Sequence, residues 1–225
     1  KDLLPENVSE KVQTPKLHSK EIVRLNEIEI VTMLDNIDEA AFPSDRQRTY
    51  NKHTHIRDNA IITLMLTTGI RISECAGLDF QDIDLENRSF LVTRKGGNRA
   101  ILYFSNETAQ ALEAYFDERE VKLSSLGKSI QGPLFLSLQN KRLSVRAIQN
   151  IVKKYATISA PLKEISPHKL RSTYGTQLYR NTKDIYVVAE VLGHKDINTT
   201  KKHYAAISED IKKEASNKVI LRKQK

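Results

Sequence analysis

The sequence has a single cysteine, Cys75, so no disulfide can form within the chain, and a reducing compartment is the expected setting. Cys75 follows Glu74 in a stretch of helical character, which points to a buried, inert thiol rather than a nucleophile. No apolar run approaches the roughly 18 residues that a membrane-spanning helix needs. The opening KDLLPENVSEKVQ also lacks the apolar core of a signal peptide. A cytoplasmic protein without a membrane partner is the expectation. Internal repeats and low-complexity tracts are missing too. Acidic residues are the minority: 36 Lys and Arg stand against 28 Asp and Glu, a net charge of +8 with a pI near 9.4. That balance points toward an anionic partner such as nucleic acid, with an ordinary basic soluble protein as the bland alternative.

What is present is enough for a packed fold: 225 residues, 39% of them apolar, fill one good-sized domain or two small ones. Residues 1–20 carry two prolines, many charges and no apolar period, so they read as a linker or arm, with the folded domain over 21–225. Asn26 and Glu29 have capping-box spacing, Leu25 and Ile30 form a hydrophobic staple, and Ile30, Met33, Leu34 and Ile37 recur at helical intervals. Residues 41–58 read as polar and irregular. Asp58 is then expected to cap the apolar helix NAIITLMLTTG, closed at Gly69. Phe90 to Thr93 and Ala100 to Phe104 flank a Lys-Gly-Gly-Asn turn, which predicts a hairpin. Ser105, Ser144, Ser166 and Asp184 each open a helix, the last ending at Gly193, and the remainder reads as helical to the end. The fold class is mostly α with a small antiparallel β-sheet.

Ionisable groups at helix ends and turns are the candidates for chemistry. Arg71 follows the Gly69 break, and Lys95 sits at the hairpin tip. His168 and Arg171 share the helix start SPHKLR, His194 follows Gly193, and Tyr204 comes ten residues later. Singly, each has an ordinary structural reading. Cations at a helix start run against the helix dipole, so an anion belongs there. Together these residue types suit attack by a tyrosyl oxygen on a phosphodiester. Arg71 and Arg171 would clamp the nonbridging oxygens, His168 would assist the poorly nucleophilic phenol, and Lys95 would protonate the leaving oxygen. Such chemistry requires no metal and no cofactor. His53 and His55 have the spacing of a metal pair but no completing ligand, and read as a solvated loop. His203, beside Tyr204, reads as a bystander or as DNA-facing. The pairs Lys201, Lys202 and Lys212, Lys213 read as DNA contacts or as a solvated face.

From about Leu25 to about Tyr204 the sequence resembles the tyrosine recombinase or integrase family of lambda-integrase type, most like integrases of conjugative transposons or phages. TTGIRISECAGLDFQDID resembles the family's first arginine box, HKLRSTYGTQL its His-x-x-Arg box, and VLGHKDINTTKKHY its Leu-Gly-His box with the nucleophile. The resemblance implies that Arg71 and Arg171 are phosphate clamps, Lys95 the general acid toward the 5′ oxygen, and His168 the assisting acid/base. It makes His194 a phosphate hydrogen-bond donor, Glu74 a supporting residue, and Tyr204 the nucleophile of a 3′-phosphotyrosine. Arg94 and Arg99 flank Lys95 and are the other cations of that turn. Position 172 is Ser where many relatives carry His.

The implied function is site-specific cutting and rejoining of DNA, for integration and excision of a mobile element, in a bacterial cytoplasm. Implied partners are double-stranded DNA at recombination sites, further copies of the chain in a tetramer, and an accessory DNA-bending or excision factor. The resemblance also implies core-binding and arm-binding domains that do not fit before Leu25, and a segment at 208–225 that docks in trans or folds back in cis. The competing readings are a type IB topoisomerase and a DNA-binding regulator without chemistry.

Overall fold

The computed structural model describes residues 23–201, other than 40, 41, 43, 95, 195 and 199. Lys95, Lys202, His203, Tyr204, Lys212, Lys213, the proposed arm at 1–20 and the segment at 208–225 lie outside the described residues. The element order is α1 (Glu27–Glu39), α2 (Asp45–Lys52), α3 (His55–Thr68), α4 (Ile72–Gly77), β1 (Ile83–Asp84), β2 (Ser89–Thr93), β3 (Arg99–Tyr103), α5 (Asn106–Ser125), α6 (Val145–Ser159), α7 (Pro167–Thr182) and α8 (Ile185–Leu192).

Helix α1 begins as its sequence predicts. The Asn26 amide donates to Glu29 Oε2 at 2.7 Å, the Glu29 amide donates to Asn26 Oδ1 at 2.8 Å, and Met33 and Ile37 turn fully inward. The chain entering α1 is tied to α7: the Leu25 amide donates to Thr173 Oγ1 at 3.1 Å, and Lys163 Nζ donates to the Arg24 carbonyl at 2.9 Å and to Glu29 at 2.6 Å.

Two expectations are corrected here. The 41–58 stretch is not irregular: Ser44 caps α2 by accepting from the Gln47 amide, and Asp45 stands at the positive helix end. A turn at His53 and Thr54 separates it from α3, so His53 lies in an exposed turn as expected, whereas His55 opens α3. Asp58 does not cap α3, which starts at His55. It lies inside the first turn, fully buried, where Arg57 donates to Oδ1 through Nε at 3.0 Å and Nη2 at 2.6 Å. Tyr155 and Asn51 complete a buried polar knot, with the Tyr155 hydroxyl 2.7 Å from Asn51 Oδ1 and 3.2 Å from Asp58 Oδ2. Burial pushes the Asp58 carboxyl up from its ordinary value against the pull of Arg57, and burial together with the Asp58 charge pushes the Tyr155 phenol up. A short acidic residue ahead of an apolar run looks like a cap in sequence; what distinguishes Asp58 is the arginine beside it.

Beyond that turn α3 is largely buried, with Ala60, Ile61, Ile62 and Leu64 fully so, because α1, α5 and α7 pack around it. The hairpin forms in the register Phe90↔Leu102 and Val92↔Ala100, directing Phe90, Val92 and Leu102 inward. The sheet has a third strand that the sequence reading missed, the two-residue β1, antiparallel to β2. Ser105 and Ser144 cap α5 and α6, and α6 buries Ile148, Ile151, Val152 and Tyr155 at i, i+3, i+4 and i+7. Cys75 is buried, and burial alone pushes its thiol up to about 12, which makes it inert. Among the described residues no helix is long and apolar enough to cross a membrane.

Removing Asp58 leaves the Arg57 guanidinium buried without its counter-charge, so Asp58→Ala should lower the unfolding free energy by about 3–5 kcal/mol in urea titrations. The other acidic anchor responds to pH. Burial pushes the Glu29 carboxyl up, but Lys163 and the Asn26 amide outweigh it and hold it below its usual value. A carboxyl lowered on folding adds stability above its unfolded pKa, and that stability is lost as pH falls through the folded value. Glu29→Gln should therefore cost about 0.5–1 kcal/mol near pH 7 and almost nothing near pH 2 in the same assay.

Candidate active site

The site is organised by the C-terminal end of α8. Asp184 starts that helix by accepting from the Tyr186 and Val187 amides, and Gly193 ends it at φ +61°. The Gly193 and His194 amides bond back to Glu190 and Ala189, both at 2.9 Å. Such a left-handed cap leaves the last carbonyls of the helix pointing outward at its negative end. Three consecutive carbonyls each accept from a different arginine. Arg94 Nη2 donates to Val191 at 3.2 Å, Arg171 Nη2 to Leu192, and Arg71 Nη2 to Gly193 at 3.0 Å.

Each arginine has its own support. Arg71 occupies the N-cap position of α4, where its amide donates to Glu74 Oε2 at 3.0 Å and its Nη1 to Glu74 Oε1 at 2.8 Å. The buried Glu74 thus fixes the backbone and the guanidinium of Arg71 together, consistent with a supporting part. Arg171 is buried one turn into α7 and also donates through Nη1 to the Gly69 carbonyl, so it joins the ends of α3 and α8. Gly69 itself has φ +61°, and a methyl group there would stand 2.5 Å from Tyr174 Cδ1 and 2.9 Å from Leu192 Cδ2. Both conformation and contact therefore demand glycine.

Of the sequence-predicted residues, Arg71, Arg171, His194 and Glu74 are brought together around this end of α8. His168 lies at the second position of α7, exposed, one turn before the buried Arg171. Pro167 occupies the first position, as expected, although the Ser166 side chain makes no cap bond. His194 is half-buried, with Nδ1 2.7 Å from the buried Thr200 Oγ1. When Thr200 donates to Nδ1, the neutral ring carries its proton on Nε2 and is a donor there. Lys95 and Tyr204 fall outside the described residues. Thr200 and the Arg94 contact were not anticipated. Nothing in the NTT stretch distinguishes Thr200 from Thr199, and Arg94 reads in sequence as a spare cation beside Lys95. Among the described residues no cluster of His, Cys, Asp and Glu could hold a metal.

Residues 24–210 match the Phage integrase family, and the chain belongs to that family. The chain is 31% identical over 194 residues to tyrosine recombinase XerC of Thermodesulfovibrio yellowstonii, covering 82% of this chain and 64% of the relative. It is 37% identical over 145 residues to tyrosine recombinase XerD of Neisseria meningitidis, covering 64% of this chain and 49% of that protein. Among solved structures it is similar to XerH site-specific recombinase bound to a palindromic difH substrate, with a TM-score of 0.68 and 23% identity over 87% of this chain and 53% of the other. It is also similar to the Tn1549 transposon integrase in complex with transposon right end DNA, with a TM-score of 0.59 and 21% identity over 89% of this chain and 66% of the other. These likenesses establish the expected fold: a mostly helical domain with a small antiparallel sheet. The chain spans between about half and two thirds of the length of these relatives.

Because Gly69 meets both α7 and α8, Gly69→Ala should destabilise the protein by about 1–2 kcal/mol from the left-handed backbone alone. Calorimetry should show the loss.

Proposed function

We propose that this chain is the catalytic domain of a site-specific recombinase that cuts and rejoins DNA through a 3′-phosphotyrosine at Tyr204. The observation that carries the reading is the meeting of Arg71, Arg171 and His194 at one helix end, in a chain whose ordered motifs match a family of DNA-strand-exchanging enzymes.

In this reading the scissile phosphate lies against the arginine cluster and near the α7 N-terminus. Arg71 and Arg171 neutralise the nonbridging oxygens as charge grows in the pentacoordinate transition state, and the Glu74 and carbonyl contacts hold them in place beforehand. His194 donates to a phosphate oxygen. The Tyr204 oxygen attacks phosphorus and its proton passes to His168. The bond to the 5′ oxygen breaks, and that oxygen takes a proton from Lys95. The products are a phosphotyrosyl 3′ end and a free 5′ hydroxyl. Attack by the 5′ hydroxyl of a partner strand reverses the step, so one phosphodiester is exchanged for another and no nucleotide cofactor is consumed.

The duplex sites, the tetramer and an accessory bending factor belong to the same proposal. Two biological settings are each favoured by an observation. The transposon integrase likeness over 89% of the chain supports integration and excision of a mobile element. The XerC likeness over 82% of the chain supports recombination between chromosomal sites. Cleavage of element-end duplexes rather than a chromosomal site separates them.

On a nicked suicide duplex, Tyr204→Phe should abolish the covalent protein–DNA adduct seen on denaturing gels while leaving DNA affinity within about threefold. An adduct that survives this substitution excludes Tyr204 as the nucleophile. Affinity should also fall steeply with salt, since every neutralised phosphate releases counterions.

A further inference from the structure

We propose that Arg94 is a positioning residue for the general acid: it pins the foot of the hairpin turn to the α8 cap and so sets the reach of Lys95. The inference rests on the reading of Lys95 as the proton donor to the 5′ oxygen.

Among the described residues of 93–99, Arg94 alone is not solvent-exposed. Its backbone closes the turn, the Arg94 amide donating to the Asn98 carbonyl at 2.8 Å and the Gly97 amide to the Arg94 carbonyl at 3.0 Å. Its side chain leaves the sheet and lies against Gly193, where a Cβ would overlap guanidinium atoms. Nη2 reaches the Val191 carbonyl at 3.2 Å. Toward the core the nearest anchor of β2 is Val92, so the guanidinium is the last contact before the tip. One contact therefore joins the residue preceding Lys95 to the residue preceding His194.

A direct grip on DNA would need the guanidinium to face outward. Instead its Nε is buried, without a hydrogen-bond partner among the described residues, and its Nη2 is turned to the Val191 carbonyl. Gly193 fits the same account. A left-handed cap accepts Asn as well as Gly, but only a residue without Cβ lets the guanidinium lie on the backbone.

The test uses the full chain and two nicked suicide duplexes, one ordinary and one with sulfur replacing the bridging 5′ oxygen. A thiolate, whose conjugate acid has a pKa near 8.5, leaves without a proton donor. Arg94→Ala should slow covalent capture of the ordinary duplex by about a hundredfold, the scale of a misplaced reacting group. On the sulfur duplex it should stay within about threefold of the unaltered protein, which also shows that the variant is folded. Lys95→Ala should be rescued in the same way, whereas Arg171→Ala should stay impaired on both. If Lys95→Ala is rescued and Arg94→Ala is not, Arg94 acts on the phosphate or on the fold, and the inference is wrong. Full activity of Arg94→Ala on the ordinary duplex would overturn it equally. Failure of sulfur to rescue Lys95→Ala removes the general-acid reading itself, and the inference with it.

Discussion

The negative end of one short helix gathers the site. Val191, Leu192 and Gly193 present carbonyls that α8 cannot satisfy itself, and arginines from the hairpin foot, from α7 and from the start of α4 take one each. The contacts span 97, 21 and 122 positions of sequence, so two of the three join parts of the chain that are far apart in sequence. Guanidinium groups suit this task. Each is planar and presents several donors, so it can hold a carbonyl with one edge and keep another edge for a second partner. Arg71 uses that capacity for Glu74, and Arg171 for Gly69.

Bringing three cations together is unfavourable by itself, and the structure offsets it in two ways. Helix-end carbonyls supply partial negative charge, about half an elementary charge at the end of a helix, without occupying space in front of the site. Glu74 supplies a full negative charge, but from beneath Arg71, with its carboxylate buried and tied to the α4 backbone. In the proposed reaction a phosphate would meet donors already fixed in direction, so little reorganisation would be left for the moment when charge develops on its oxygens.

The features of this site that sequence reasoning reached share one property: their signal is local. Gly69 and Gly193 stand at the ends of apolar periods, the Asn26 and Glu29 box precedes another, and SPHKLR opens with serine and proline where a helix must start. The features it missed have a weak local signal or take their meaning from partners elsewhere in the fold. Asp58 looks like a cap until Arg57, Asn51 and Tyr155 close on it from three helices. Helix α2 has almost no apolar face, so periodicity could not announce it. Strand β1 is only two residues long and exists through its pairing with β2. Arg94 carries no local mark at all, since its role follows from a glycine 99 positions further on, across the fold.

The arginine contacts also bear on how α8 is held. Val188 and Leu192 pack with Tyr179 in a small cluster separate from the main core, beside Tyr174, Leu178 and Ile185. Burial of a few such side chains contributes about 1.5–3 kcal/mol each, a modest anchor for an eight-residue helix that would not persist alone. The polar anchor at its other end is therefore a substantial part of what fixes it. Two of its guanidinium groups, those of Arg71 and Arg171, are the ones proposed to face the phosphate. The position of α8 and the charge state of the site are thus coupled through shared hydrogen bonds. His194 and Thr200, which follow the cap directly, take their places from that coupling.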